Sequence, residues 1–491
     1  MLRRISAVLV VAFCFLPLLQ GQTHAKPKRT GRAKPAAAMP LTTSSVKALD
    51  LYKRAVENSG NLHIDRALIG WRAAAREDPK FAMAFAMLAL SSRDPEEVRV
   101  CRERAKELAA GASAGEKLMI QWIAGAQEGN DLAGIAAMND LLAMFPRDKH
   151  LYLFAASWLM NEESNEQAGR LLHKALEVDP DFAPALNDLA YVYARDRDFD
   201  AALHAMDRYV KLLPKEPNPQ DSYAEISRMA GRFEAALEHY RAALAIDPSF
   251  NSSQAGLGDT YALMGDQEQA RKEYDKTIQQ EPDLANRFDY LMQKATTWVR
   301  EKRYVEADRE FWRVAAEAHA QSYDLQEAQA LRRMAQYQAD NELALERLAS
   351  AEESLGHRHN LSASIHDQEL AHILRLRVAR SMRAGKEDAA RAALGRLEQM
   401  AASGRNRVIQ LCWHGAAGEM LMAQGKFKDA ISELEEDQDN PATLALLVEA
   451  YREAGASEKQ RSAQERLRTT NLPTLEQALS VTGFPGKAAK L

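Results

Sequence analysis

Apolar positions in the middle of the chain recur at helical spacing, in matched pairs of segments. Across residues 251–282, Leu257, Gly258 and Tyr261 fall on one helical face, and Gly265-Asp266 then interrupts it. Ala270, Tyr274 and Thr277 fall on the face of a second helix, and Pro282 ends it. The pattern predicts two antiparallel helices joined by a tight turn. Gly258 and Ala270 are small enough to let two backbones approach, while Tyr261 and Tyr274 fill the space between neighbouring pairs. The unit repeats. Pro146, Pro180, Pro214, Pro248 and Pro282 stand 34 residues apart. Proline has no N–H and clashes with the preceding turn, so each one stops a helix where it stands.

The preceding segments keep the same register. Residues 217–248 supply Tyr223, Ala224, Ala236, Tyr240 and Ala243; residues 183–214 supply Leu186, Leu189, Ala190, Tyr193, Ala202 and Met206. Residues 149–180 supply Tyr152, Ala155, Ala156, Leu159, Ala168, Leu172 and Ala175. With Gln254, Leu257, Gly258, Tyr261, Ala270, Tyr274 and Pro282, the last unit resembles a tetratricopeptide repeat, W-x2-L-G-x2-Y, A-x3-F, P. Gln254 replaces the aromatic plug and Tyr274 the phenylalanine.

On both sides the repeat loosens without stopping. Pairs are expected over 45–79, 81–110 and 115–146. Beyond Pro282 the small-then-large mark recurs as Ala307/Phe311, Ala344/Leu348, Ala390/Leu394 and Ala430/Leu434, at spacings of 37, 46 and 40, which implies longer helices or loops. A last pair is expected over 442–469. The expected fold is all-α, a right-handed α-solenoid of about twelve antiparallel helix pairs. Its expected parts are degenerate pairs over 41–114, a regular array over 115–282, irregular longer repeats over 283–470, and a loose tail with one short helix over 471–491.

Two segments precede the array. Residues 1–25 read as an export signal: Arg3 and Arg4, an apolar run from Ile5 to Leu19, then small Thr23 and Ala25 before a cut that leaves Lys26 first. The run is shorter than the roughly 20 residues that span a bilayer. The expectation is an exported chain, periplasmic or secreted and without a span after cleavage; the alternative is an uncleaved anchor. Residues 26–40 are a basic Pro/Ala-rich linker without apolar periodicity. The net charge of −5 includes two arginines of the leader and five Lys/Arg of the linker, so the body alone carries −12. An acidic body lacks the electrostatic footprint for nucleic acid. In the body only Cys101 and Cys412 occur, both in helical patterns and far apart, so no disulfide framework or zinc knuckle is expected.

Motifs for chemistry read better as parts of the array. Gly111-Ala112-Ser113-Ala114-Gly115 matches the G-x-S-x-G nucleophile elbow, yet no strand precedes it. Ser113 with Glu116 instead predicts a capping box. His357, His359, His366 and His372 cluster with Asp367 and Glu369, but their spacing does not converge ligands on one face. No cofactor, metal or catalytic residue is expected, and a hydrolase is the least favoured reading.

The resemblance implies where a partner would meet the array. In tetratricopeptide arrays the first helix of each pair lines the concave face. Carried over, this gives His150, Phe154, Ser157, Asn187, Tyr191, Arg195, Ser222, Glu225, Arg228 and Asp259. The family's carboxylate clamp uses Lys, Arg and Asn there; this stretch has Glu225 and Asp259 beside Arg195 and Arg228, which argues against that ligand. The expected function is a scaffold or adaptor for a protein or peptide. The alternative is a sensor or regulatory adaptor of a cell-envelope system.

Overall fold

The structure, a computed structural model, describes residues 38–60, 63–357, 361–403 and 406–481. The expected export signal, most of the expected linker, His359 and the last ten residues of the tail lie outside them.

The described residues form helices and no strand. The first three pairs are α1 (Val46–Gly60) with α2 (Ile64–Glu77), α3 (Ala82–Ser91) with α4 (Pro95–Leu108), and α5 (Ala114–Glu128) with α6 (Asp131–Met144). The regular stretch continues with α7 (Lys149–Asn161) and α8 (Asn165–Val178), then α9 (Ala183–Arg195) and α10 (Phe199–Leu212). It ends with α11 (Pro217–Met229) and α12 (Phe233–Ile246), then α13 (Asn251–Met264) and α14 (Gln267–Gln280). The longer pairs are α15 (Leu284–Arg300) with α16 (Tyr304–Ala320), α17 (Asp324–Tyr337) with α18 (Asn341–Gly356), and α19 (Ala363–Arg383) with α20 (Glu387–Ser403). After them come α21 (Arg407–Ala423) with α22 (Phe427–Leu434), α23 (Pro441–Glu453) with α24 (Ser457–Arg468), and the single short helix α25 (Leu475–Ser480). Each helix packs on its pair-mate, and each pair on the next, so the described residues form an all-α solenoid of twelve helix pairs and one further short helix.

The ladder prolines work as their chemistry dictates. Each follows the capping residue of a second helix: Phe145, Asp179, Leu213, Asp247 and Glu281. The small positions Ala168, Ala202, Ala236 and Ala270 are wholly buried, and Leu172, Met206, Tyr240 and Tyr274 sit beneath them. In the longer pairs Ala307, Phe311, Ala344, Leu348, Ala390, Ala430 and Leu434 are equally buried, while Leu394 is only half-buried, so the mark holds in full in three of the four pairs where the period fails. The extra length went into helices: 13 or 14 residues in α7 to α14, but 17 in α15, α16, α20 and α21, and 21 in α19.

A second ladder lies in the turns inside the pairs. Gly129, Glu163, Arg197, Gly231 and Gly265 hold φ of 73°, 50°, 64°, 76° and 91°. All five fall at the same 34-residue register, where the chain reverses between the two helices of a pair. Glycine adopts this left-handed region without penalty; Glu163 and Arg197 do not.

The solenoid winds tightly enough that distant pairs touch. His63 Nε2 lies 2.8 Å from Glu216, Arg66 reaches Asp247 at 3.5 Å, and Arg93 bonds Asn286 and Asp289. The far end folds inward too. The described part of the expected tail, residues 471–481, has its one short helix in α25 but packs against the array instead of lying loose. Leu475 there joins the apolar cluster of Phe288, Leu291 and Met292.

Candidate functional site

Four consecutive first helices place equivalent positions in one row. Ser157 on α7, Tyr191 on α9, Glu225 on α11 and Asp259 on α13 each stand one repeat from the next. Their side chains bridge the pairs: the Ser157 hydroxyl donates to Asp188 at 2.7 Å, and the Tyr191 hydroxyl to Glu225 at 2.9 Å. Arg228 donates to Glu225 at 2.8 Å and to Asp259 at 3.1 Å, while the Tyr274 hydroxyl donates to Asp259 at 2.6 Å. Arg228 is fully buried; its charge is compensated by these two carboxylates. Burial pushes the Asp188 carboxyl up despite the Ser157 and Asn187 bonds. It pushes the Asp221 carboxyl up to about 7, where nearby Glu225 adds to the shift and the Ser253 hydroxyl opposes it.

The ten positions carried over from the family are therefore not alike. Asn187, Ser222, Glu225, Arg228 and Asp259 are buried, four of them deep in the row or beside it. Phe154 is half-buried against the N-terminal core, and His150 is exposed, edge-on to Phe182 at 5.1 Å. Arg195 turns to the carbonyl of Met160 and to Asn165, both at 2.9 Å.

Arg195 leads to the cavity. A space of about 270 Å³ lies between the inner turns of the pairs from α7 to α11 and the helices α19 to α23. One wall has Glu163, Arg195, Arg197, Phe199 and Met229; the opposite wall has Arg375, Arg407, Leu411, Asp437 and Leu444. Thr470, Asn471, Leu472 and Thr474 close it from the C-terminal side. Arg375 is pinned, donating to Asp437 at 2.7 Å and to Thr443 at 2.5 Å. Arg407 is bound more loosely, 3.4 Å from Glu436, and Arg466 pairs with Asp439. The lining combines cations, carboxylates and apolar side chains, a mixture suited to a polypeptide segment. Its second wall escaped the sequence reading because α19 to α23 lie outside the 34-residue register, and nothing in their pattern says which face turns inward.

The motifs suggestive of chemistry take structural places. Ser113 caps α5 in a full capping box with Glu116, and Glu116 also accepts from the Thr42 amide at 2.8 Å and hydroxyl at 2.5 Å. His366 bonds Asp367 at 2.7 Å, Glu369 pairs with Arg332, and His372 Nδ1 lies 3.3 Å from Cys412 Sγ. Among the described residues no three His, Cys, Asp or Glu side chains converge as a metal site would. Cys101 and Cys412 are buried, and neither is in a disulfide. Next to the cavity, Glu162 is buried with Oε2 unbonded; burial first, then Asp131 and Glu163, push its carboxyl up to about 8.

Stacked helix hairpins around an enclosed interior define the class: an α-solenoid of the kind that holds other molecules against its inner face. Residues 228–295 match the family model described as Tetratricopeptide repeat. The chain is thus similar to tetratricopeptide-repeat proteins. It is 30% identical over 101 residues to the TPR repeat-containing protein YpiA of Bacillus subtilis, covering 19% of this chain and 24% of that one. It is 27% identical over 162 residues to a TPR repeat-containing protein of Treponema pallidum, covering 32% of this chain and 19% of that one. The chain thus spans no more than about a quarter of the length of these relatives. Among solved structures it is similar to the APC/C hetero-tetramer Cut9-Hcn1, with a TM-score of 0.41 and 14% identity over 86% of this chain and 76% of that one. It is also similar to Pseudomonas aeruginosa pilF, with a TM-score of 0.30 and 16% identity over 57% of this chain and 97% of that one.

Proposed function

We propose that the chain is a scaffold that holds a protein or peptide segment in its concave interior and carries out no catalysis of its own. The observation that carries this reading is the cavity between the inner turns of the pairs from α7 to α11 and the helices α19 to α23. Two distant parts of the array meet there around a mixed lining of Arg, carboxylate and apolar groups. Such a lining offers apolar anchoring and charge-set register to a polypeptide. The hydrogen-bonded row through Tyr191, Glu225, Arg228 and Asp259 acts as its rigid support. We place the protein outside the cytoplasmic membrane on the strength of residues 1–25; among the described residues no helix is long and apolar enough to cross a membrane.

A photo-crosslinking amino acid at Phe199, which lines the cavity, and at Trp312, an exposed position outside it, tests the reading. The Phe199 probe is expected to trap one recurrent polypeptide that the Trp312 probe does not. Equal labelling from both positions would refute a cavity-bound partner. Intact mass of the mature protein is expected to begin at Lys26.

A further inference from the structure

The C-terminal segment has the contacts of a bound ligand. Residues 469–474 run without regular helix between α24 and α25. The Arg197 guanidinium donates to the Thr469 hydroxyl at 2.8 Å, and the Asn471 amide donates to the Met229 carbonyl at 3.2 Å. Both partners belong to the regular array, more than 200 residues earlier in the chain. Arg300, on α15, donates to Gln477 Oε1 at 2.6 Å and to the Thr474 carbonyl at 3.4 Å. Leu475 is buried in the apolar cluster of α15 to α19, with Leu479 half-buried behind it. The segment thus accepts hydrogen bonds from Arg197 and Arg300, donates one to Met229, so that three separate pairs are engaged, and sets one leucine in an apolar seat. It also forms part of the cavity's own lining.

Resting on the scaffold reading above, we propose that Thr469–Val481 is an intramolecular ligand of the concave site, which a partner must displace. The kind of partner follows from what the segment shows: an extended stretch offering a hydroxyl and an amide, then a leucine-like anchor followed by an amide or carboxylate side chain. A site held closed in most molecules binds an outside ligand with its affinity reduced by the open fraction. Displacement leaves the Arg300 guanidinium without its two C-terminal acceptors, so a partner that supplies them is favoured over one that does not.

The test uses the full chain and a fluorescein-labelled peptide of residues 469–481. Leu475→Asp removes the apolar anchor and releases the segment. It is expected to bind the peptide at least about tenfold more tightly than the wild type, as an open fraction below one in ten requires, with helicity unchanged. Should Leu475→Asp lose helicity, the milder Asn471→Ala with Gln477→Ala replaces it in the same comparison. Equal affinity in wild type and variant overturns the proposal. So does a folded, released variant that binds no peptide. The two readings fail separately. Tight peptide binding with no partner trapped at Phe199, even in the released variant, leaves the intramolecular ligand standing and removes the scaffold. A partner trapped equally by wild type and released variant does the reverse.

Discussion

At single positions the repeat leaves marks that residue type alone conceals. The left-handed turn falls at the same place in five successive pairs, yet Glu163 and Arg197 occupy it in two of them. A side chain there brings Cβ too close to the following carbonyl. Glu163→Gly is therefore expected to stabilise the fold by about 0.5–1 kcal/mol, read as a higher urea midpoint. The neighbouring Glu162 gives a pH signature. Its carboxyl is held up near 8 in the fold, against an ordinary value of 4.5. Its favourable, protonated contribution is complete below about pH 4.5 and is lost as pH rises through about 8. Glu162→Gln is expected to match the wild type near pH 4.5. At pH 9 it should exceed it by on the order of 1–3 kcal/mol, the usual cost of a buried group left unsatisfied. Parallel denaturation curves at the two pH values check this, and a difference that does not grow with pH contradicts it.

For whole helices, the seams explain both what was legible and what was not. A Cβ on Gly256 would lie 2.3 Å from the Tyr240 ring, and one on Gly258 2.9 Å from the Tyr274 ring. Tyr240 and Tyr274 are wholly buried, so neither ring has room to retreat. Gly256→Ala is expected to cost about 1–3 kcal/mol by overpacking. Gly111→Ala, where nothing lies within 4 Å, should be near neutral. Both are read from thermal midpoints. This small-against-large pairing is local and was readable in Ala202/Met206 or Ala270/Tyr274. It extended into the longer pairs through Ala307/Phe311 and Ala430/Leu434. The left-handed ladder was half hidden, because Glu163 and Arg197 do not announce a turn as Gly265 does. The row of Ser157, Tyr191, Glu225 and Asp259 was legible as equivalent positions one repeat apart, but its internal bonding was not. Four residue types in one register disclose no partner for any of them. The docking of Leu475 was invisible: two leucines four apart on a six-residue helix look the same in a loose tail as in a seat.

For the molecule as a whole, closure is the property that no short pattern encodes. It results from a small rotation at every pair, summed until residues far apart in sequence meet. Arg93 is where that sum is most exposed to test. It lies in the turn between α3 and α4 and reaches Asn286 and Asp289 on α15, with the Asp289 oxygen 2.5 Å away. The two side chains are 26% and 20% exposed, so salt and solvent screen them weakly, and a charged hydrogen bond there is worth about 1.5–3 kcal/mol. Neither residue caps a helix or fills a seam, so removing one should loosen the contact between turns without melting either pair. Arg93→Ala is expected to increase the radius of gyration in small-angle scattering and to raise hydrogen exchange in α1 to α4, while α7 to α14 keep their protection. Asp289→Ala should do the same. The double variant should add little, since each single change already removes the shared interaction. Additive losses would mean the two side chains act through other neighbours. An unchanged radius in all three would mean that His63 with Glu216 and Arg66 with Asp247 suffice to hold the turns together.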